Sequence, residues 1–198
     1  PQTFAAGFIP QSINIGIKGN FAPWVGTLIT DIKQPILLVA EPKTEEEAVT
    51  RLARVGYDNV IGYLKNGFQT WLDEERDFDE IVSISPEEFV ELVEEAELNV
   101  LDVRKPGEYQ TSHVEGAITA PLDFINDSMK LINTEETYLV HCAGGYRSMI
   151  FASILRARGY ENLIDVAGGF GQIKEVEGVK LVEGVSPCSV GKDSCSSN

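Results

Sequence analysis

Cys142, Gly144, Gly145 and Arg147 fall together in the stretch YLVHCAGGYRSMIFASILRARGY, which runs from Tyr138 to Tyr160. A thiol, two glycines and a guanidinium at that spacing can build a cradle for an anion around a nucleophilic sulfur. The glycines permit positive φ and can turn successive N–H groups inward. A helix opening near Ser148 would add its own unpaired N–H groups and the positive end of its dipole. Together these groups are expected to favour a Cys142 thiolate over the thiol. The dipole supplies only about 0.3–2 kcal/mol, and one pKa unit corresponds to about 1.4 kcal/mol. The loop N–H groups and Arg147 must therefore share the task, Arg147 offering a permanently charged fork suited to oxyanions. The plain alternative is a buried, inert cysteine; the glycines, the arginine and the placement between strand and helix favour the nucleophile. Ala143, Gly144, Gly145, Tyr146 and Ser148 are the candidate substrate-binding residues, with Tyr146 at the loop rim.

The elements that must position this loop are legible around it. TYLVHC reads as a buried strand, and α/β folds place ligands at the carboxyl ends of such strands. NVLDVR, GAITAPL and NLIDVAGG read as three more. Helices are predicted between them: Phe124 to Met129, Ser148 to Arg158, and one after Gly168. SISPEEFVELVEEAE predicts another, with Ser85 as N-cap, Pro86 at the first helical position, Glu88 closing a capping box, and Phe89, Leu92 and Val93 on one face. Alternation of this kind predicts an α/β fold with a parallel sheet covered by helices on both faces. His141, preceding Cys142 on its strand, should point to the opposite side, into the core or behind the site. Trp24, Trp71 and Phe170 read as core or domain-contact aromatics.

The chain also repeats itself. ARVGYDNVIGYLKNGFQTW (53–71) parallels RARGYENLIDVAGGFGQI (156–173), and FAAGFIPQSINI echoes YQTSHVEGAITA. Two tandem α/β copies are expected: 1–78, 79–185, and a flexible Ser/Gly-rich tail 186–198. The first copy has nothing matching NVLDVR, whose equivalent should lie before residue 1. The chain is therefore expected to be a fragment, or to have that gap filled by a neighbouring segment. Aligning ILLVAEPKTEEEAVTRL with the cysteine loop puts Glu41 opposite Cys142. Pro42 removes an N–H there, and Glu45, Glu46 and Glu47 crowd the helix start. This copy should be catalytically silent and serve packing or docking.

Whole-chain properties exclude several classes. A formal charge of −15 repels a phosphate backbone, so nucleic acid is not an expected partner. No run suits a membrane span or a secretory signal, so a cytoplasmic protein is expected. Cys142, Cys188 and Cys195 are too few for a disulfide framework. With only His113 and His141 beside them, no metal-ligand quartet has recognisable spacing.

CAGGYRS, with LDVRKPGEY and HVEGA, resembles the rhodanese (sulfurtransferase) superfamily. The resemblance covers nearly the whole chain as two rhodanese-like modules, the first lacking the catalytic cysteine. SINIGIKGNFAPWVG and the degenerate first copy are similar to the tandem rhodanese region fused to metallo-β-lactamase-like persulfide dioxygenase domains. The resemblance implies sulfane sulfur transfer through a persulfide on Cys142, from thiosulfate or a low-molecular-weight persulfide to a thiol, with Arg147 holding the anionic remainder. It implies no cofactor, small sulfur anions and thiols as partners, and a metallo-β-lactamase-like portion outside this chain as another. Asp102, Arg104 and Glu108 match structural positions and should orient the loop, Glu108 as a partner of Arg147; ordinary surface ion pairs are the alternative. Ser112 and Glu115 stand where the family commonly has glycine and proline. Two rival functions stay open: a persulfide carrier or docking module without turnover, and a cysteine-dependent phosphatase or arsenate reductase. Against the latter, four residues separate Cys142 from Arg147, one fewer than in a typical phosphatase loop.

Overall fold

The computed structural model describes residues 1–96 and 98–184. Cys188 and Cys195, with the expectation for the tail, lie outside them. In the first unit, α1 (Gln2–Ala5) and α2 (Phe21–Leu28) precede β1 (Ile36–Leu38), α3 (Glu45–Ala53), β2 (Val60–Tyr63) and α4 (Phe68–Asp73). The second unit begins with β3 (Ser83–Ile84), α5 (Pro86–Glu95), β4 (Asn99–Asp102), α6 (Pro106–Thr111), β5 (Ser112–Val114) and β6 (Ile118–Thr119). It continues with α7 (Ile125–Ser128), β7 (Tyr138–His141), α8 (Tyr146–Ala157), β8 (Leu163–Val166), α9 (Gly169–Ile173) and β9 (Leu181–Glu183).

The main sheet has the order β3-β8-β7-β4-β6, with every pairing parallel. Its central strand, β7, is buried along its whole length, as befits a strand covered on both faces. One face packs against α8 through Met149, Ile150, Phe151 and Leu155, in a cluster that also holds Leu101 and Val140. The other face carries Phe89 from α5 with Phe170 and Ile173 from α9. The predicted capping box of α5 is present: the Glu88 N–H donates to Ser85 Oγ at 3.1 Å and the Ser85 N–H donates to Glu88 Oε2 at 2.8 Å.

Several boundaries differ from expectation. The strand predicted across GAITAPL is confined to Ile118–Thr119, because Pro121 lacks a donor and leads into a 3₁₀ turn, Leu122–Phe124. The helix predicted from Phe124 to Met129 is a single α turn between two 3₁₀ turns. The helix predicted from Ser148 begins at Tyr146, since Gly145, at φ +89°, already forms its N-cap. The antiparallel pair β5–β9 was not anticipated.

In the first unit β1 and β2 pair in parallel, and Phe21, Val25, Leu52 and Tyr57 form a small core beside them. Leu37 and Ile61 on the opposite face are each 66 % exposed. The acidic first turn of α3 carries Glu45, Glu46 and Glu47 as expected. The units are joined intimately: Ala5, Phe8 and Trp24 belong to the same cluster as Met149 and Leu155. Phe8 and Asp79 exchange both backbone hydrogen bonds, and Arg156 of α8 grips the Asp79 carboxylate. No helix among the described residues is long and apolar enough to cross a membrane.

Candidate active site

Cys142 directly follows β7, so its position is set by a strand hydrogen-bonded on both sides. Its sulfur accepts the Gly145 N–H at 3.2 Å, and the residue is 1 % exposed. Of the expected ring of main-chain donors, this is the one in contact with sulfur. The N–H groups of Ala143 and Gly144 donate to no acceptor among the described residues. From below, the amino end of α9 fastens the loop: the Phe170 N–H donates to the Cys142 carbonyl at 2.7 Å and the Gly171 N–H to the Ala143 carbonyl at 3.0 Å. Gly169, at φ +57°, lies so close that a side chain there would overlap the Cys142 carbonyl oxygen and crowd the Gly144 nitrogen. Sequence reasoning treated Phe170 as a core aromatic and did not single out Gly169; the repeated glycine pair, GGY then GGF, was the available signal.

Arg147, in the first turn of α8, is held by Glu108 of α6 in a two-pronged pair, Nη1 to Oε2 at 2.6 Å and Nη2 to Oε1 at 2.9 Å. That bond is the main cause holding the Glu108 carboxyl down at about 2, partial burial opposing it, and it raises Arg147 in turn. Asp102 ends β4 beside His141 and is wholly buried, as is nearly all of Arg104. Arg104 donates Nε and Nη2 to the Asp102 carboxylate and Nη2 to the Ser112 carbonyl at 2.7 Å. Its guanidinium stacks 3.8 Å from the centre of the Phe170 ring. Asp102–Arg104 is therefore an interior pair rather than a surface one, braced against the element that fastens the cysteine loop.

His141 lies on the opposite face, between Phe89 and Phe170, with Nδ1 3.4 Å from the Cys142 carbonyl oxygen, and burial pushes its pKa down. Ser148 is fully buried inside α8, beside Asp165, whose carboxyl is pushed up by burial. It is sealed from solvent rather than displayed on the loop. Tyr146 sits at the rim, half-buried, its hydroxyl donating to the Gly16 carbonyl of the first unit at 2.6 Å; burial pushes it up to about 12. Trp24 is a core residue, whereas Trp71 lies near the surface beneath Arg76. Among the described residues, no group of three or more His, Cys, Asp or Glu side chains is arranged to hold a metal ion.

The arrangement can present a sulfur nucleophile at the end of a central strand, beside an N–H-lined turn and an arginine whose charge is shared with a carboxylate. A model of the rhodanese-like domain matches residues 1–74 and 85–175. Curated relatives include the "Putative sulfur carrier protein YrkF" of Bacillus subtilis, 32 % identical over 90 residues, covering 45 % of this chain and 49 % of that protein. They include a tRNA uridine(34) hydroxylase of Bacillus licheniformis, 28 % identical over an alignment of 201 positions, covering 90 % of this chain and 62 % of that protein. The chain thus spans between about half and just under two thirds of these relatives' lengths. Similar solved structures include a rhodanese-related protein from Thermoplasma volcanium, 31 % identical with a TM-score of 0.46, covering 51 % of this chain and 97 % of that one. With the family match extending over both units and through the Cys142 loop, the chain belongs to the rhodanese-like domain family.

Proposed function

We propose that the protein is a sulfurtransferase that carries sulfane sulfur as a persulfide on Cys142. The observation that carries this reading is the Cys142 sulfur at the end of the central strand, accepting the Gly145 N–H at 3.2 Å. In the first half-reaction the Cys142 thiolate attacks the outer sulfur of thiosulfate or of a low-molecular-weight persulfide. The new bond is Sγ–S; the donor's own S–S bond breaks and its electron pair leaves on sulfite or thiolate. In the second, an acceptor thiolate attacks the outer sulfur of the persulfide, takes it as a new persulfide, and restores the Cys142 thiolate. Charge balances without an external oxidant. The loop N–H groups and Arg147 stabilise the anionic outer sulfur and the departing group. A cysteine that is 1 % exposed suits small donors. The charge of −15 argues against tRNA as a substrate, although several relatives are tRNA uridine(34) hydroxylases. On the same reading, a metallo-β-lactamase-like dioxygenase portion outside this chain is the physiological partner.

Intact mass spectrometry after exposure to thiosulfate or glutathione persulfide tests the proposal. A one-sulfur adduct is expected on the parent and absent from Cys142→Ala. An adduct that survives the substitution would overturn the assignment and point to Cys188 or Cys195. The resemblance to a sulfur carrier favours a second reading, single loading without turnover. Repeated turnover with a small thiol acceptor supports the transferase; one loading event per chain supports the carrier.

A further inference from the structure

The first unit has no nucleophile, yet one of its segments is built into the wall of the cysteine loop. Tyr146 follows Gly145, the residue whose N–H meets the Cys142 sulfur. The Tyr146 hydroxyl donates to the Gly16 carbonyl, and the ring lies directly against Gly16 and Gly19. A Cβ on Gly16 would come within 2.8 Å of the ring, and one on Gly19 would overlap it. The segment bearing these glycines is itself anchored at several points. The Asn14 N–H donates to Ser153 Oγ of α8 at 2.9 Å. Arg51 of α3 donates Nη1 to the Ile17 carbonyl at 2.8 Å, and Ile15 packs against both neighbouring cores.

We infer that Tyr146 is a positioning residue for Cys142, and that the Gly16–Gly19 strap of the first unit is the part of the machinery that holds it in place. Two glycines let the strap backbone reach the aromatic ring, where any side chain would force the ring to shift. The Tyr146 hydroxyl stays protonated throughout the working pH range, burial pushing it up to about 12, so it remains a donor. The loop that carries the Gly145 N–H is held from two directions: below, where the amino end of α9 bonds to the Cys142 and Ala143 carbonyls, and at the rim, where the tyrosine is strapped. The silent unit thereby keeps the loop closed around a cysteine that is 1 % exposed. The inference rests on reading Cys142 as the acceptor of transferred sulfur.

The test compares the full chain with Gly16→Ala, Gly19→Ala and Tyr146→Phe. Gly26→Ala serves as control, because a Cβ there meets nothing within 4 Å. Two rates are read: sulfur transfer from thiosulfate, as kcat and KM, and iodoacetamide alkylation followed on the peptide carrying Cys142. Loosening the strap should lower kcat by about tenfold with KM little changed, since misplacement of a reacting group costs rate more than binding. It should also raise the alkylation rate severalfold as the loop opens, so the two rates move in opposite directions. Tyr146→Phe, which keeps the ring and loses the hydroxyl, should fall between parent and glycine variants, and Gly26→Ala should match the parent. Glycine variants that fold with both rates unchanged, or with both moving the same way, would overturn the inference. If neither glycine variant folds, a parental Tyr146→Phe overturns it instead. A parent that transfers no sulfur, with the alkylation changes intact, would remove the proposed function and leave the strap's positioning role standing.

Discussion

Arg147 meets a carboxylate before it meets any substrate. Its pairing with Glu108 makes the guanidinium's orientation definite but shares out the charge that an incoming oxyanion needs. Glu108→Gln should therefore lower KM for thiosulfate, because the competing negative charge is gone, while costing some order in Arg147; steady-state kinetics at low salt would show it. The same pair has a pH signature. Glu108 is depressed from an ordinary 4.5 to about 2, so its stabilising contribution is fully present above about 4.5 and lost as pH falls toward 2. The Glu108 side chain is 37 % exposed, so solvent screening limits this contribution to roughly 1 kcal/mol or less. Urea unfolding at pH 7 and pH 3 should show a smaller acid loss in Glu108→Gln than in the parent. Arg104 and Asp102 differ because both are sealed from water. Arg104→Met leaves a buried carboxylate uncompensated and should cost about 3–5 kcal/mol in the same measurement; a loss below about 1 kcal/mol would show that the pair is not as enclosed as its geometry indicates.

Two elements bear on the site through their ends rather than their faces. The amino end of α5 is closed by Ser85 and Glu88, and Phe89 in its first turn packs against His141 behind the cysteine. Ser85→Ala should cost about 1 kcal/mol in denaturant unfolding and leave sulfur loading intact, because the strand rather than the cap fixes Cys142. The amino end of α9 is a different case, since its first N–H groups bond to the loop itself. Gly169→Ala adds a side chain at positive φ and into the Cys142 carbonyl. It should destabilise by more than 1–2 kcal/mol and, unlike the Ser85 change, slow persulfide formation on Cys142 in the fraction that remains folded. Equal loading by both variants would show that the α9 turn does not hold the loop.

Across the whole molecule the two units share one apolar cluster, the Phe8–Asp79 bridge and the Arg156–Asp79 ion pair. Unfolding should therefore be a single transition. Both tryptophans, Trp24 and Trp71, lie in the first unit, whereas Cys142 lies in the second. Tryptophan fluorescence and Cys142 alkylation should thus report the same urea midpoint, and separated midpoints would show that the units are independent. Much of this protein was legible before any coordinates. The buried strand before Cys142, the Ser85 capping box and the opposite-facing His141 all follow from local pattern, because strand alternation and helix capping are short-range properties; the Arg147–Glu108 pairing, between residues 39 apart, was implied only by the family resemblance. The exact helix start was not, since Gly145 could serve either as a turn residue or as the cap, and only its φ distinguishes them. Nor was the interior setting of Asp102 and Arg104, for which surface ion pairs stood as the alternative: both are buried, with Phe170 stacked on the Arg104 guanidinium. The sequence by itself determined the family and the parallel α/β alternation and singled out Cys142 as the candidate nucleophile, because these are written in contiguous motifs. Only the tertiary structure decided what surrounds the nucleophile: Gly169 from below and the Gly16–Gly19 strap at the rim are far from Cys142 along the chain, and they are brought there by packing that no local pattern encodes.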